Sequence, residues 1–343
     1  MRMVRGAGRG LCLVGTAVVA LLAGGGPRSA AAQAIPRTHL VIISGSSGEE
    51  AFAVRFHALA ASLRDAVHRF GIPDSLITWL AESTERDRAI SGRSTKEGIT
   101  QALGRLASRA TANDAVLILL LGHGTSDGST SRFNVPGPDI SDVEFAALLD
   151  RLSGPTVAVV NAASASGDFV KTLSERNRVV ITATKSGFER NETVFGDHFV
   201  AAYAKEGADA DKDGRVSLLE AFNYARREVE REYDGANKLL TEHAMLDDDG
   251  NGAGSADPGE RGPDGMIAKA FYLQSGATSA AAAANPRVAE LLATERRLQA
   301  QLDSLRLSKG VMPEADYQKA LEDLLVKLSE TSAELRALGV RKP

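Results

Sequence analysis

The chain of 343 residues holds one cysteine, Cys12, and few aromatics: 11 Phe, 5 Tyr and a lone Trp. Cys12 lies in an N-terminal stretch that reads as a cleaved leader, which leaves a mature chain with no thiol, disulfide or cysteine metal ligand. Thiol chemistry is thereby excluded, and Leu, Val, Ile and Ala must build the core. A membrane span is missing too: the apolar run Leu11 to Ala23 falls short of the roughly 18 to 20 residues that crossing a bilayer takes. Basic charge is not in excess, with 40 Lys and Arg against 44 Asp and Glu, which argues against a nucleic-acid partner. With 11 Pro, 33 Gly and 43% apolar residues, the composition is globular, neither collagenous nor disordered.

What is present begins with the leader, residues 1–34. Arg2, Arg5 and Arg9 precede the apolar run, and Ala32-Gln33-Ala34 supplies the small-residue cleavage pattern of a signal peptide. Its removal takes away four arginines and no acid, moving the net charge from −4 to −8. The expected destination is periplasmic or extracellular.

From residue 35 to 274, apolar runs alternate with helix-period segments, the pattern of a mainly parallel, doubly wound α/β sheet. Strands are expected at His39–Ile43, Ser75–Leu80, Ala115–Leu121, Thr156–Val160 and Val179–Thr184. Ala51 to Phe70 has helical periodicity, with Phe52, Phe56, Leu59, Leu63 and Val67 on one face. Ligands of such sheets sit beyond the carboxyl ends of the strands. Two of those ends carry unusual residues: Gly122-His123-Gly124 after the third strand, and Asn161-Ala-Ala-Ser164-Ala-Ser166-Gly167 after the fourth.

At these residues the chain resembles the legumain-like and caspase-like cysteine peptidases. That family places His-Gly after one strand and Ala-Cys-x-Ser-Gly after the next. Here His123-Gly124 and Ala163-Ser164-Ala165-Ser166-Gly167 match, 41 residues separate His123 from Ser164, and the resemblance spans Thr38 to Tyr203. Ser164 stands where the family has cysteine, and Ala162 where it often has an acid. The resemblance implies a caspase-like fold. For a working enzyme it implies Ser164 as nucleophile, His123 as base, and the N–H groups of Gly124 and Ser164 as oxyanion donors. It also implies a substrate pocket near Arg55 and the segment Thr184-Lys185-Ser186.

A serine hydroxyl is far less acidic than a thiol and needs a base that is itself held in place, commonly by a carboxylate. Exchanging sulfur for oxygen therefore favours a pseudopeptidase that binds a peptide or protein partner in the retained cleft. An active Ser–His peptidase, hydrolase or transamidase is the alternative, and a structural envelope protein the third.

Asp209-Ala-Asp211-Lys-Asp213-Gly214-Arg215-Val216-Ser217-Leu-Leu-Glu220 has the spacing of a twelve-residue EF-hand loop. Asp209, Asp211, Asp213, Ser217 and Glu220 would present side-chain oxygens, and Arg215 its backbone carbonyl, to a calcium ion. A second acidic run, Asp247-Asp-Asp249-Gly-Asn251-Gly252, begins in the same way but has Pro258 at its twelfth position. It reads as a solvated loop, with partial calcium binding as the alternative. The other histidines (39, 57, 68, 198 and 243) lack metal-ligand spacing.

Residues 275–285 form an alanine-rich linker to a tail, 286–343, of different character. Val288, Leu291, Glu295, Leu298, Leu302 and Leu305, then Tyr317, Leu321, Leu324, Leu328, Thr331, Leu335 and Leu338, step by three and four. Two such helices about Lys309-Gly310-Val-Met-Pro313 predict an antiparallel hairpin, packed on itself or offered to a partner or second copy.

Overall fold

The computed structural model describes residues 37–205, 207–213, 215–259, 264–273, 285–307 and 312–339. The leader, nearly all of the alanine-rich linker and the hairpin turn lie outside the described residues.

The centre of the molecule is β4 (Ala115–Leu121), a run of seven residues with Val116 to Leu121 all buried. Continuous Leu, Ile and Val, with no polar alternation, suit a strand covered on both faces. β1 (Thr38–Ser44) and β8 (Thr156–Asn161) flank it in parallel. β2 (Ile77–Ala81) and the two-residue β3 (Gly92–Arg93) extend the sheet on one side, and β9 (Arg178–Thr182) on the other. β10 (Met245–Asp247) closes the far edge antiparallel to β9. Three short strands, β5 (Gly124–Ser126), β6 (Ser131–Phe133) and β7 (Ile140–Ser141), make a separate antiparallel sheet. The architecture is thus mixed α/β around a mainly parallel seven-stranded sheet. The expected five strands are present; β3, β10 and the small sheet are additional, too short to show periodicity in the sequence.

Alternation along each strand divides the core in two. Leu40, Ile42, Leu117, Leu119 and Leu121 point to one face. There they meet α1 (Glu50–Arg69), α5 (Phe195–Ala204) and α6 (Leu218–Gly235). Val41, Ile43, Val116, Ile118 and Leu120 point to the other. They meet α2 (Lys96–Ala107), α3 (Asp142–Leu149) and α4 (Asp168–Leu173). Each such side chain, taken fully from water, contributes roughly 1.5–3 kcal/mol before entropy is counted. Trp79 of β2 is 1% exposed, its ring 5.2 Å from His57 and its N–H donating to the Ser44 hydroxyl at 3.4 Å.

A short helix α7 (Met266–Ala270) follows β10, and the tail holds α8 (Pro286–Leu307) and α9 (Glu314–Ala337). Val288, Leu291 and Leu292 pack with Leu335 in a cluster separate from the two sheet faces. An ion pair from Arg287 to Glu334 (2.7 Å) and a hydrogen bond from Ser332 to Glu295 (2.7 Å) run alongside it. Among the described residues, no helix is long and apolar enough to cross a membrane.

Candidate functional site

Strand register brings the two unusual loops together. Leu119 lies opposite Val160 and Leu120 opposite Asn161, so both chains leave the sheet at the same edge. The Ala162 N–H then donates to the Leu120 carbonyl at 3.0 Å, carrying the pairing one step further. His123 and Ser164 consequently line one cleft, with Phe52, Arg55, Phe56, Leu59, Glu192, Thr193 and Asp197.

Close approach explains the glycines. A Cβ on Gly124 would lie 2.2 Å from the Ser164 carbonyl oxygen, and one on Gly167 would lie 2.0 Å from the Ser186 nitrogen. Ala165, just past Ser164, has a left-handed backbone (φ 51°) and donates its N–H to the Glu189 carbonyl at 2.7 Å. A non-glycine residue in that region is strained, so the bend that presents Ser164 is held by its surroundings.

Ser164 is 6% exposed, and its hydroxyl bonds Gly124 twice. The hydroxyl donates to the Gly124 carbonyl at 3.2 Å and accepts the Gly124 N–H at 3.3 Å. His123 instead packs edge-on against two rings, its centroid 4.5 Å from Phe52 and 5.4 Å from Phe56. Among the described residues no carboxylate bonds its imidazole. Asp127 is spent on Ser129, Thr130 and Arg132, whose donors hold its carboxyl well below the usual carboxylate range. Asp142 accepts the Thr172 hydroxyl at 2.9 Å.

The residues expected to form a substrate pocket divide. Arg55 lies in the cleft, but its guanidinium is taken up by Asp197, Glu192 and the Thr193 carbonyl (2.8 Å). Thr184, 1% exposed, turns inward, hydrogen-bonding Ser166 at 3.1 Å and accepting the Gly167 N–H at 3.0 Å. Ser186 accepts the Phe188 N–H at 3.3 Å. Lys185 extends to solvent and pairs with Glu189 at 3.6 Å. With Arg55 clamped, the enclosed part of the cleft beside His123 measures about 20 Å³, and the cleft opens to solvent around it; the enclosed part has room for one water.

Several site residues went unnoticed in the sequence. Phe52 and Phe56 read there as core, yet they also hold the imidazole. Glu192, Thr193 and Asp197 carried no motif. Nor did Glu242, which is buried behind them and accepts the N–H groups of Val194 (2.9 Å) and Phe195 (2.7 Å) at the start of α5. Burial pushes the Glu242 carboxyl up to about 7, against the downward pull of those N–H groups and of Arg55.

The acidic loop stands apart from the cleft, ahead of α6. Oxygens of Asp209, Asp211 and Asp213 gather within 4.8 Å of one another, a spread that one cation spans. Ser217 caps α6, and Glu220 returns the bond in a capping box. The other Glu220 oxygen turns toward the loop and accepts the Ala210 N–H at 2.9 Å. Arg215 reaches back to Asp213 at 2.7 Å and lies over the Tyr272 ring at 4.0 Å. The loop is backed by an antiparallel bridge between Ser217 and Tyr272.

No protein-family model and no curated protein matches the chain. Solved caspases resemble it. The Drosophila initiator caspase Dronc is 12% identical, over 64% of this chain and 81% of its own, with a TM-score of 0.41. Caspase-1 from Spodoptera frugiperda is 11% identical over 64% and 91%, with a TM-score of 0.42. For drICE the values are 11%, 62%, 87% and 0.38. At such scores the functional case rests on the residues at the sheet edge.

Proposed function

We propose that the chain is an exported pseudopeptidase: a protein with a peptidase-like cleft that holds a peptide or partner segment without cleaving it, and that binds calcium through the loop 209–220. The observation that supports this reading best is the closed pair of hydrogen bonds between Ser164 and Gly124. A nucleophilic serine must give its proton to a base as it attacks. Here the hydroxyl proton goes to a backbone carbonyl, and the N–H that would receive an oxyanion goes to the hydroxyl. The imidazole lies between two phenyl rings with no carboxylate to orient it. The chain has the strand ends, the glycines and the bend of a nucleophile loop, while the hydroxyl that would react is bonded to Gly124.

The test is a fluorophosphonate probe, which reacts with activated serines, applied to the full chain between pH 6 and pH 9. The expected result is no label on Ser164. Label there that disappears in His123→Ala would replace this reading with that of a Ser–His hydrolase. Calcium titration of the same protein, with Glu220→Gln as control, tests the loop. Oxygen-only donors in this spacing suit a hard cation and not zinc.

A further inference from the structure

The run Asp247-Asp248-Asp249, which begins at the last residue of β10, divides between two sides. Asp248 turns to one side and anchors the next helix, accepting the N–H groups of Gly265 (2.8 Å), Ile267 (2.8 Å) and Ala268 (2.9 Å). Asp247 and Asp249 turn to the other side. There they meet Asp264, and one oxygen from each of the three lies within 4.8 Å of the others.

Two of these carboxylates are in a costly position. Asp247 is fully buried, and among the described residues no donor comes within hydrogen-bond reach of either oxygen, the Ser174 hydroxyl acting on it from further away. Asp264 is also fully buried; one oxygen accepts the Asp248 N–H at 3.1 Å and the other has no partner among the described residues. Donors around Asp247 include the Ser174 hydroxyl and the N–H groups of Asn251 and Gly252. Both N–H groups are spent elsewhere, on Asp249 (2.9 Å) and on Ser174 (2.9 Å). Among the described residues, the charges that act most on Asp264 are those of Asp249, Asp247 and Asp248, all of one sign. Buried carboxylates are ordinarily paired, hydrogen-bonded or bound to metal. Unpartnered oxygens converging from two chain segments need a positive charge between them.

We infer that Asp247, Asp249 and Asp264 form a second divalent-cation site, separate from the loop 209–220, with calcium as the ion that suits its donors. All the donors are oxygen, as a hard cation requires. Oxygens at about 2.3–2.6 Å from one calcium ion stand about 3.3–5.2 Å apart depending on the angle between them, and these three lie within 4.8 Å of one another. The sequence breaks the EF-hand pattern with Pro258 at the twelfth position. The fold supplies Asp264 in its place, and the Ser174 hydroxyl stands close by. The ion would tie the end of β10 to the segment that enters α7. That segment continues into Phe271 and Tyr272, whose backbones pair with Leu218 and Ser217 of the first loop. A cation here would therefore stiffen the segment against which the first loop is built.

The inference rests neither on the cleft nor on calcium binding at the first loop, and the variants keep them apart. The full chain, freed of metal with chelator, is titrated with calcium by calorimetry. Glu220→Gln, which disables the first loop, should retain one ion per chain. Adding Asp249→Asn should weaken that remaining site at least tenfold; its exposed side chain makes misfolding no explanation. Adding Asp264→Asn instead should abolish it. No uptake by Glu220→Gln at millimolar calcium would overturn the inference. So would Asp264→Asn raising the melting temperature equally with and without calcium, since the buried pair would then be protonated acids.

Discussion

Ser164 and Gly124 bond each other twice across 40 residues of chain, hydroxyl to carbonyl at 3.2 Å and N–H to hydroxyl at 3.3 Å. The pair joins Gly124, the first residue of β5, to the loop that follows β8. It acts as a clasp across the edge of the sheet.

Ser164→Ala should therefore register as a loss of stability. Removing both bonds should cost about 1–2 kcal/mol, since Gly124 is left with a half-buried N–H and carbonyl to satisfy. Gly124→Ala should be far more damaging, because the new methyl would meet the Ser164 carbonyl at 2.2 Å. Urea unfolding of the two variants checks the order; equal midpoints would remove the clasp.

Glu242 predicts a pH dependence. Its folded carboxyl titrates at about 7 against an ordinary 4.5, so the native state favours the protonated form. The stability it contributes is complete below about pH 4.5 and is lost as the pH rises through 7. The span amounts to about 3 kcal/mol. Glu242→Gln should flatten the stability profile across that window, gaining on the parent at pH 8 relative to pH 4. Thermal melts at the two values decide it.

Calcium should raise the melting temperature and chelator lower it. Without a cation, Asp209, Asp211 and Asp213 repel one another across less than 4.8 Å. Binding to the native state alone adds about 2.7 kcal/mol when free calcium stands a hundredfold above Kd. Magnesium should be a poor substitute, because it holds its waters and insists on octahedral geometry. Equal shifts with both ions would show general charge screening.

Truncation after Gln274 should leave the sheet folded. Val288, Leu291, Leu292 and Leu335 form their own cluster and share no residue with the two faces of the sheet. The charge of Glu295 is felt at Arg215, so a small loss near the first acidic loop is expected. A molten sheet in the truncated chain would show that the tail belongs to the core.

The sheet was readable because its strands are long and apolar. Val116 to Leu121 cannot be confused with a half-exposed element, and the helical face from Phe56 to Val67 repeats cleanly. β10 was hidden by its length of three residues and by Asp247, an acid that looks solvated until the fold buries it. The placing of His123 and Ser164 on one cleft followed from register. What each touches did not: the rings of Phe52 and Phe56 count as core in any periodicity, and Arg55 finds Asp197 from 142 residues away. Asp264 was equally out of reach, lying outside the acidic run whose gap it fills.

The burial of Trp79 gives the molecule two separate optical signals. It is the chain's lone indole, enclosed in β2 beside Ser44 and His57, so its emission should be blue and should redden only when the parallel sheet opens to water. α8 and α9 contain no indole but supply many helical peptide groups. Melting of the tail would therefore be dark in tryptophan fluorescence and plain in far-ultraviolet circular dichroism. Recording both on one sample assigns each transition to its part of the chain, with no label attached.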